Sequence, residues 1–209
     1  MTPLLAVLAV ALALDRATPS RFVAETALNA EALAQIAAVQ WDSSKGCLPP
    51  VESDIDAESA GAAARYPELA RFLEPSNVIA VGRIETLTPG WDLTTHRPAT
   101  LAAVRVTESL RGASSGERLT YIIDGGSIFV NDRALCTEPH DEMPKAGDTV
   151  LVAGRREASA SPHLITASDS VFPVKDRAVI VPPWLKLAGE HRVPLDSLRS
   201  GFQSRMEKE

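Results

Sequence analysis

The sequence predicts a mainly β fold with helical additions at both ends, and three observations carry that expectation. From residue 75 onward, Val- and Ile-rich runs of strand length recur every ten to twenty residues or so, separated by Gly, Pro and Asp. No stretch between them is long enough for a crossover helix. A barrel or sandwich therefore fits better than βαβ units, and parallel pairing is not expected. Before residue 75, alanine, the strongest helix former, dominates.

Residues 4–14 (LLAVLAVALAL) form an uncharged apolar run ended by Asp15 and Arg16. The run is far short of the roughly 20 residues of a spanning helix. It fits the apolar region of a secretory signal, with Ala11-Leu12-Ala13 as the small-x-small cleavage site. No Lys or Arg precedes it, which departs from the signal pattern; a translation start further upstream would restore the missing charges. The competing reading makes residues 4–14 the first core helix of a cytoplasmic domain. No other segment approaches the length of a membrane span, so none is expected in the mature chain.

Residues 22–41 read as a helix carrying Val23, Leu28, Leu33, Ile36 and Val39, with Ser20 or Thr18 as its cap. Residues 46–62 (GCLPPVESDIDAESAGA) form an acidic connector. Pro67, at a first-turn position, opens a short helix over 67–73. Strands are then expected at 77–87, 100–110, 118–123, 127–130, 149–153 and 164–174. Residues 178–185 form an edge strand, because Pro182-Pro183 cannot donate to a central ladder. An amphipathic helix closes the chain over 195–206, with Asp196 as N-cap and Leu195, Leu198, Phe202 and Met206 on one face.

The formal net charge of −6 argues against a nucleic-acid partner, since such binding depends on neutralising phosphates with Lys and Arg. No basic cluster along the chain is denser than Arg155-Arg156. The two cysteines, Cys47 and Cys136, have no CxxC spacing and read as one disulfide in an oxidising compartment. In a reducing compartment they would be two unpaired thiols.

The densest polar constellation is Cys136-Thr137-Glu138-Pro139-His140-Asp141-Glu142. Thiolate, imidazole and carboxylate are all zinc donors, but the spacing matches no zinc motif, and an acidic solvated loop is the simpler reading. His96, His163 and His191 each lie in or beside a turn. GxSxG, SxxK and HExxH are absent. Asp124-Gly125-Gly126-Ser127 lacks the lysine and helix of a phosphate loop and reads as a hairpin turn, so no cofactor is expected. Two long interruptions of the β pattern, 88–99 and 131–147, carry Trp91 with Asp92 and the acidic cluster respectively. As loops at one end of the fold they would make an aromatic and acidic patch, with Trp91, Asp92, Glu138, His140, Asp141 and Glu142 as binding residues. The alternative folds Trp91 inward as a plug.

Residues 67–91 (PELARFLEPSNVIAVGRIETLTPGW), 102–112 (AAVRVTESLRG) and 146–154 (AGDTVLVAG) together resemble uncharacterised exported bacterial proteins with a small OB-like barrel. That barrel is similar in outline to the netrin-like domain of tissue inhibitors of metalloproteinases. Those inhibitors chelate zinc through an N-terminal cysteine; Cys47 lies well inside this chain, so no inhibitory residue carries over. The resemblance implies an OB-like barrel of five or six strands. The expected layout is a signal peptide over 1–13, a helical segment and connector over 14–75, the barrel over 76–185 and the C-terminal helix over 186–209. The expected function is an exported, non-enzymatic binding or accessory module for a protein or small ligand. The alternative is a metal-assisted hydrolase using His140, Asp141 and Glu142, with His163.

Overall fold

The computed structural model describes residues 22–39, 46–49, 69, 73, 75–139, 143–156, 164–165, 171–181 and 191–206. The fold is mainly β. Among the described residues, eleven strands form two sheets: β1 (Phe22–Ala24), β2 (Val78–Asp92), β3 (Arg97–Arg111), β4 (Arg118–Asp124), β5 (Gly126–Val130), β6 (Arg133–Thr137), β7 (Thr149–Gly154), β8 (Leu164–Ile165), β9 (Val171–Lys175), β10 (Ala178–Ile180) and β11 (Arg192–Pro194). Two helices accompany them, α1 (Ala30–Ala38) and α2 (Leu195–Met206). The main sheet runs β11-β10-β9-β7-β2-β3-β4-β8, with β1 also on β2, while β5 and β6 make a separate two-stranded sheet. Among the described residues this order is an open path whose end strands do not pair, and it has more strands than the five or six expected.

The strand pattern holds where alternation was clear and fails at its ends. The expected strands at 77–87 and 100–110 extend into one ribbon, β2–β3, paired from Ile79↔Arg111 to Asp92↔Arg97. The expected strand at 164–174 is represented by β8 and β9, with 166–170 outside the described residues. The helix expected over 22–41 is corrected. Its first residues form β1, which pairs with Gly90–Asp92 of β2, and α1 begins only after Asn29. Asn29 caps α1, its Oδ1 accepting from the Ala32 amide at 2.9 Å. Of the segment 67–73, only Leu69 and Leu73 are described, joined by Leu73 N–H donating to the Leu69 carbonyl at 3.0 Å. One parallel pair was not expected: β4 runs alongside β8 through Thr120↔Leu164 and Tyr121↔Ile165. Asp124-Gly125-Gly126 is not a hairpin turn either. It passes from the main sheet into the second one, with Gly125 and Gly126 at φ 118° and 131°, a region that favours glycine.

The ribbon serves two neighbourhoods. The first half of β2 lies between β7 and β3, and its last residues lie between β1 and β3. Register shifts at Ile79/Ala80, Val81/Gly82 and Ile84/Thr86 bend it between the two. Alternation then builds a core on each face. Ile79, Val81, Leu151, Ala153 and Phe172 pack with Leu195, Leu198 and Phe202 of α2. Val78, Ala80, Ile84, Val104, Leu119, Tyr121 and Val152 fill the opposite face. Leu195, Leu198 and Phe202 of the expected apolar face are buried, the Met206 side chain lying outside the described ones, but the helix begins at Leu195. Asp196 thus lies in its first turn, where it pairs with Arg177 and Arg199.

At Gly82, β2 runs close against β3. A methyl group there would lie 2.4 Å from Val104 Cγ1 and 2.6 Å from the Arg105 carbonyl oxygen. Gly82→Ala is expected to destabilise by about 1–3 kcal/mol, the usual cost of overpacking a core, measured by urea denaturation. An unchanged midpoint would contradict the packing described.

Candidate functional site

The region where function was expected is built as a small lobe beside the main sheet. Its centre is Trp91, 1% exposed, packed with Ala32 of α1 and Ile128 and Leu135 of the β5–β6 hairpin. The indole Nε1 donates to Gln35 Oε1 at 2.8 Å, while Gln35 Nε2 donates to the Leu93 carbonyl at 3.3 Å. One side chain of α1 thereby holds the turn that joins β2 to β3. The face of α1 turned to the lobe carries Ala32 and Ile36, and Leu28 and Val39, which flank the helix, join the same Trp91 cluster.

The second wall is the hairpin. Asn131 and Asp132 both take left-handed backbone, φ 50° and 63°, as a two-residue turn between right-twisted strands requires. Ile128, Val130 and Leu135 face the cluster. Phe129 points the other way and is 67% exposed. The Phe129 amide donates to Glu25 Oε1 at 2.6 Å, which ties β5 to the chain just before α1.

The disulfide expected from the cysteine count is present, Cys47 to Cys136, with Cα atoms 4.7 Å apart. It sits on β6 beside a short parallel bridge, Leu48↔Thr137. There the Leu48 amide donates to the Cys136 carbonyl and the Glu138 amide to the Leu48 carbonyl, each at 2.8 Å. Arg97 Nη1 donates to the Pro49 carbonyl at 2.7 Å, anchoring the same segment to β3.

This geometry corrects the expected patch. Residues 88–99 are not a loop, because the β2–β3 ribbon runs through them with a turn only at 93–96. Residues 131–147 contain β6. The two regions do come together, but as a core: Trp91 and Asp92 are buried, so neither contributes to a surface patch. Asp92 Oδ1 accepts from the Thr94 amide at 2.8 Å and shapes the turn. Glu138 is exposed. His140, Asp141, Glu142 and His163 lie outside the described residues, as do Trp41 and Trp184. The metal alternative loses its thiolate, since Cys136 is oxidised. Among the described residues no group of three His, Cys, Asp or Glu side chains is placed to hold a metal ion. No described helix is long and apolar enough to cross a membrane.

A feature the linear sequence did not reveal lies at the outer side of the lobe. A groove of about 640 Å³ runs between α1 and the hairpin, lined by Leu33, Ile36, Ala37, Val39, Val130, Asn131, Arg133 and Leu135. Two sequence signals bear on its walls, though neither shows that the walls meet. Leu33, Ile36 and Val39 recur every three residues, and Asn131-Asp132 between apolar runs is a tight-hairpin signature. No protein-family model matches the chain, and the search among curated proteins finds no match.

Proposed function

We propose that this is an exported, non-catalytic binding module on an OB-like barrel, whose ligand is a small apolar acid held between α1 and the β5–β6 hairpin. The observation that carries the reading is the chemistry of the groove. Among the described residues its lining is aliphatic apart from Asn131 and Arg133, and Arg133, the one charged residue among them, makes no ion pair with another described residue. A volume of about 640 Å³ is in the range of small-molecule sites. An apolar body would cover Leu33, left 42% exposed, while a carboxylate would meet the guanidinium at the rim. The disulfide supports export, because such bonds persist in oxidising compartments.

Anilinonaphthalene sulfonate, an apolar anion, serves as the probe. Saturable fluorescence enhancement at the folded protein is expected, reversed by decanoate but not by decanol. Arg133→Ala is expected to weaken both anions about tenfold, the effect of one charge-assisted contact. Leu33→Asp, at a partly exposed position, is expected to remove binding while leaving the circular dichroism spectrum intact. Equal displacement by decanol, or binding unchanged in both variants, would contradict the reading.

A further inference from the structure

An exposed part of the main sheet carries a row of arginines drawn from three separate strands. Arg83 on β2 is the register partner of Arg105 on β3, and Arg105 is the register partner of Arg118 on β4. All three are exposed. Neighbouring strands lie about 4.8 Å apart, so the three side chains leave the sheet along a line about 10 Å long. Thr149 on β7, opposite Arg83, continues the line.

The local acids do not balance this row. Its ion pairs among the described residues go to a single carboxylate, Glu85, with Arg105 Nε at 2.8 Å and Arg118 Nε at 3.4 Å. Of the neighbouring acids, Glu117 pairs with Arg156, and Asp148 accepts from the Lys145 amide. Like charges directly opposite one another destabilise a sheet, so the row is a positive excess that the fold does not need. It stands out further in a chain of net charge −6. Two of the guanidinium groups are oriented by backbone: Arg105 Nη1 donates to the Gly116 carbonyl at 2.9 Å, and Arg83 Nε to the Gly147 carbonyl at 3.1 Å. The flanking positions on this face, Ala103, Thr107 and Thr120, are small or polar. With no aromatic side chain in the row, nucleic-acid bases have nothing to stack on.

The geometry points to an oxyanion-binding strip for a ligand carrying two or more neighbouring phosphate groups. The planar guanidinium fork matches phosphate oxygens in a bidentate manner, and a line of such forks matches several phosphates at once. This chemistry is shared by a free oligophosphate and by the headgroups of an anionic phospholipid surface. The strip is separate from the apolar groove, being built from β2, β3 and β4 rather than from α1 and the hairpin.

The test is titration calorimetry with sodium tripolyphosphate at low ionic strength, alongside co-sedimentation with phosphatidylglycerol vesicles. Binding to tripolyphosphate alone identifies a free ligand, and binding to vesicles identifies a headgroup surface. The double substitution Arg83→Ala with Arg118→Ala is expected to weaken whichever binding is seen at least about tenfold, with folding unchanged because both positions are exposed. Arg83→Lys with Arg118→Lys keeps the charge but removes the fork, and a loss of about threefold is expected. The inference is overturned if neither probe binds, if the alanine variant binds as the parent does, or if the lysine variant shows no loss.

Discussion

Replacing Trp91 by alanine is expected to lower the unfolding free energy by about 3–5 kcal/mol, the range for deleting a large buried aromatic side chain. The position is severe for three reasons that act together. The indole is buried at the centre of the lobe, so its removal opens a cavity between α1 and the hairpin. Its Nε1–H partner, Gln35 Oε1, is left without a donor from this ring. Gln35 also holds the Leu93 carbonyl, so the turn between β2 and β3 loosens with it. Trp91→Phe keeps most of the volume but loses the hydrogen bond and part of the ring, so a smaller cost of about 1–3 kcal/mol is expected. Urea denaturation followed by circular dichroism checks both. A Trp91→Ala variant within about 0.5 kcal/mol of the parent, the range of surface substitutions, would show that the lobe is not packed as described.

Removing the disulfide is the second large effect. Cys47 and Cys136 are 89 residues apart in sequence. Closing a loop of that size restricts the unfolded chain by about 4–5 kcal/mol in the chain-entropy account, and native disulfides lost from small domains cost about 2–5 kcal/mol. The double variant Cys47→Ser, Cys136→Ser is expected to fall in that range, without loss of the β2–β3–β4 sheet signal. Reductant should bring the parent down to the same midpoint and leave the variant unmoved. The local consequence is also specific. The Leu48 and Glu138 amides, paired across the bridge beside the bond, should lose hydrogen-exchange protection. Equal stability of parent and variant in oxidising buffer would contradict the structure at this point.

The parts of the fold legible in the sequence were those set by short-range chemistry. Strand alternation at 78–84 and 102–106 depends only on which face each side chain takes: Val78, Ala80 and Ile84 pack with Ala102, Val104 and Val106, while Ile79 and Val81 pack on the opposite face. The apolar stripe Leu195, Leu198, Phe202 is equally local. The cysteines were legible for a combinatorial reason, since two cysteines allow a single intramolecular pair. The helix expected from residue 22 failed because β1 gains ladder bonds from Gly90–Asp92, a distant segment whose pairing overrides intrinsic helix propensity.

Trp91 shows the division most clearly. Pro89-Gly90-Trp91-Asp92 has the composition of a loop, yet pairing with β1 and β3 makes it strand, and α1 and the hairpin cover it. The sequence by itself determined the mainly β character and the buried face of the last helix, which follow from residue type and near-neighbour spacing, and the disulfide partners, which follow from there being two cysteines. Only the tertiary structure decided that Trp91 is core, that Leu33 and Arg133 share a groove, and that Arg83, Arg105 and Arg118 stand in line. Those facts depend on strand register and on the packing of distant segments. A shift of one residue in register would turn each arginine to the other face of the sheet.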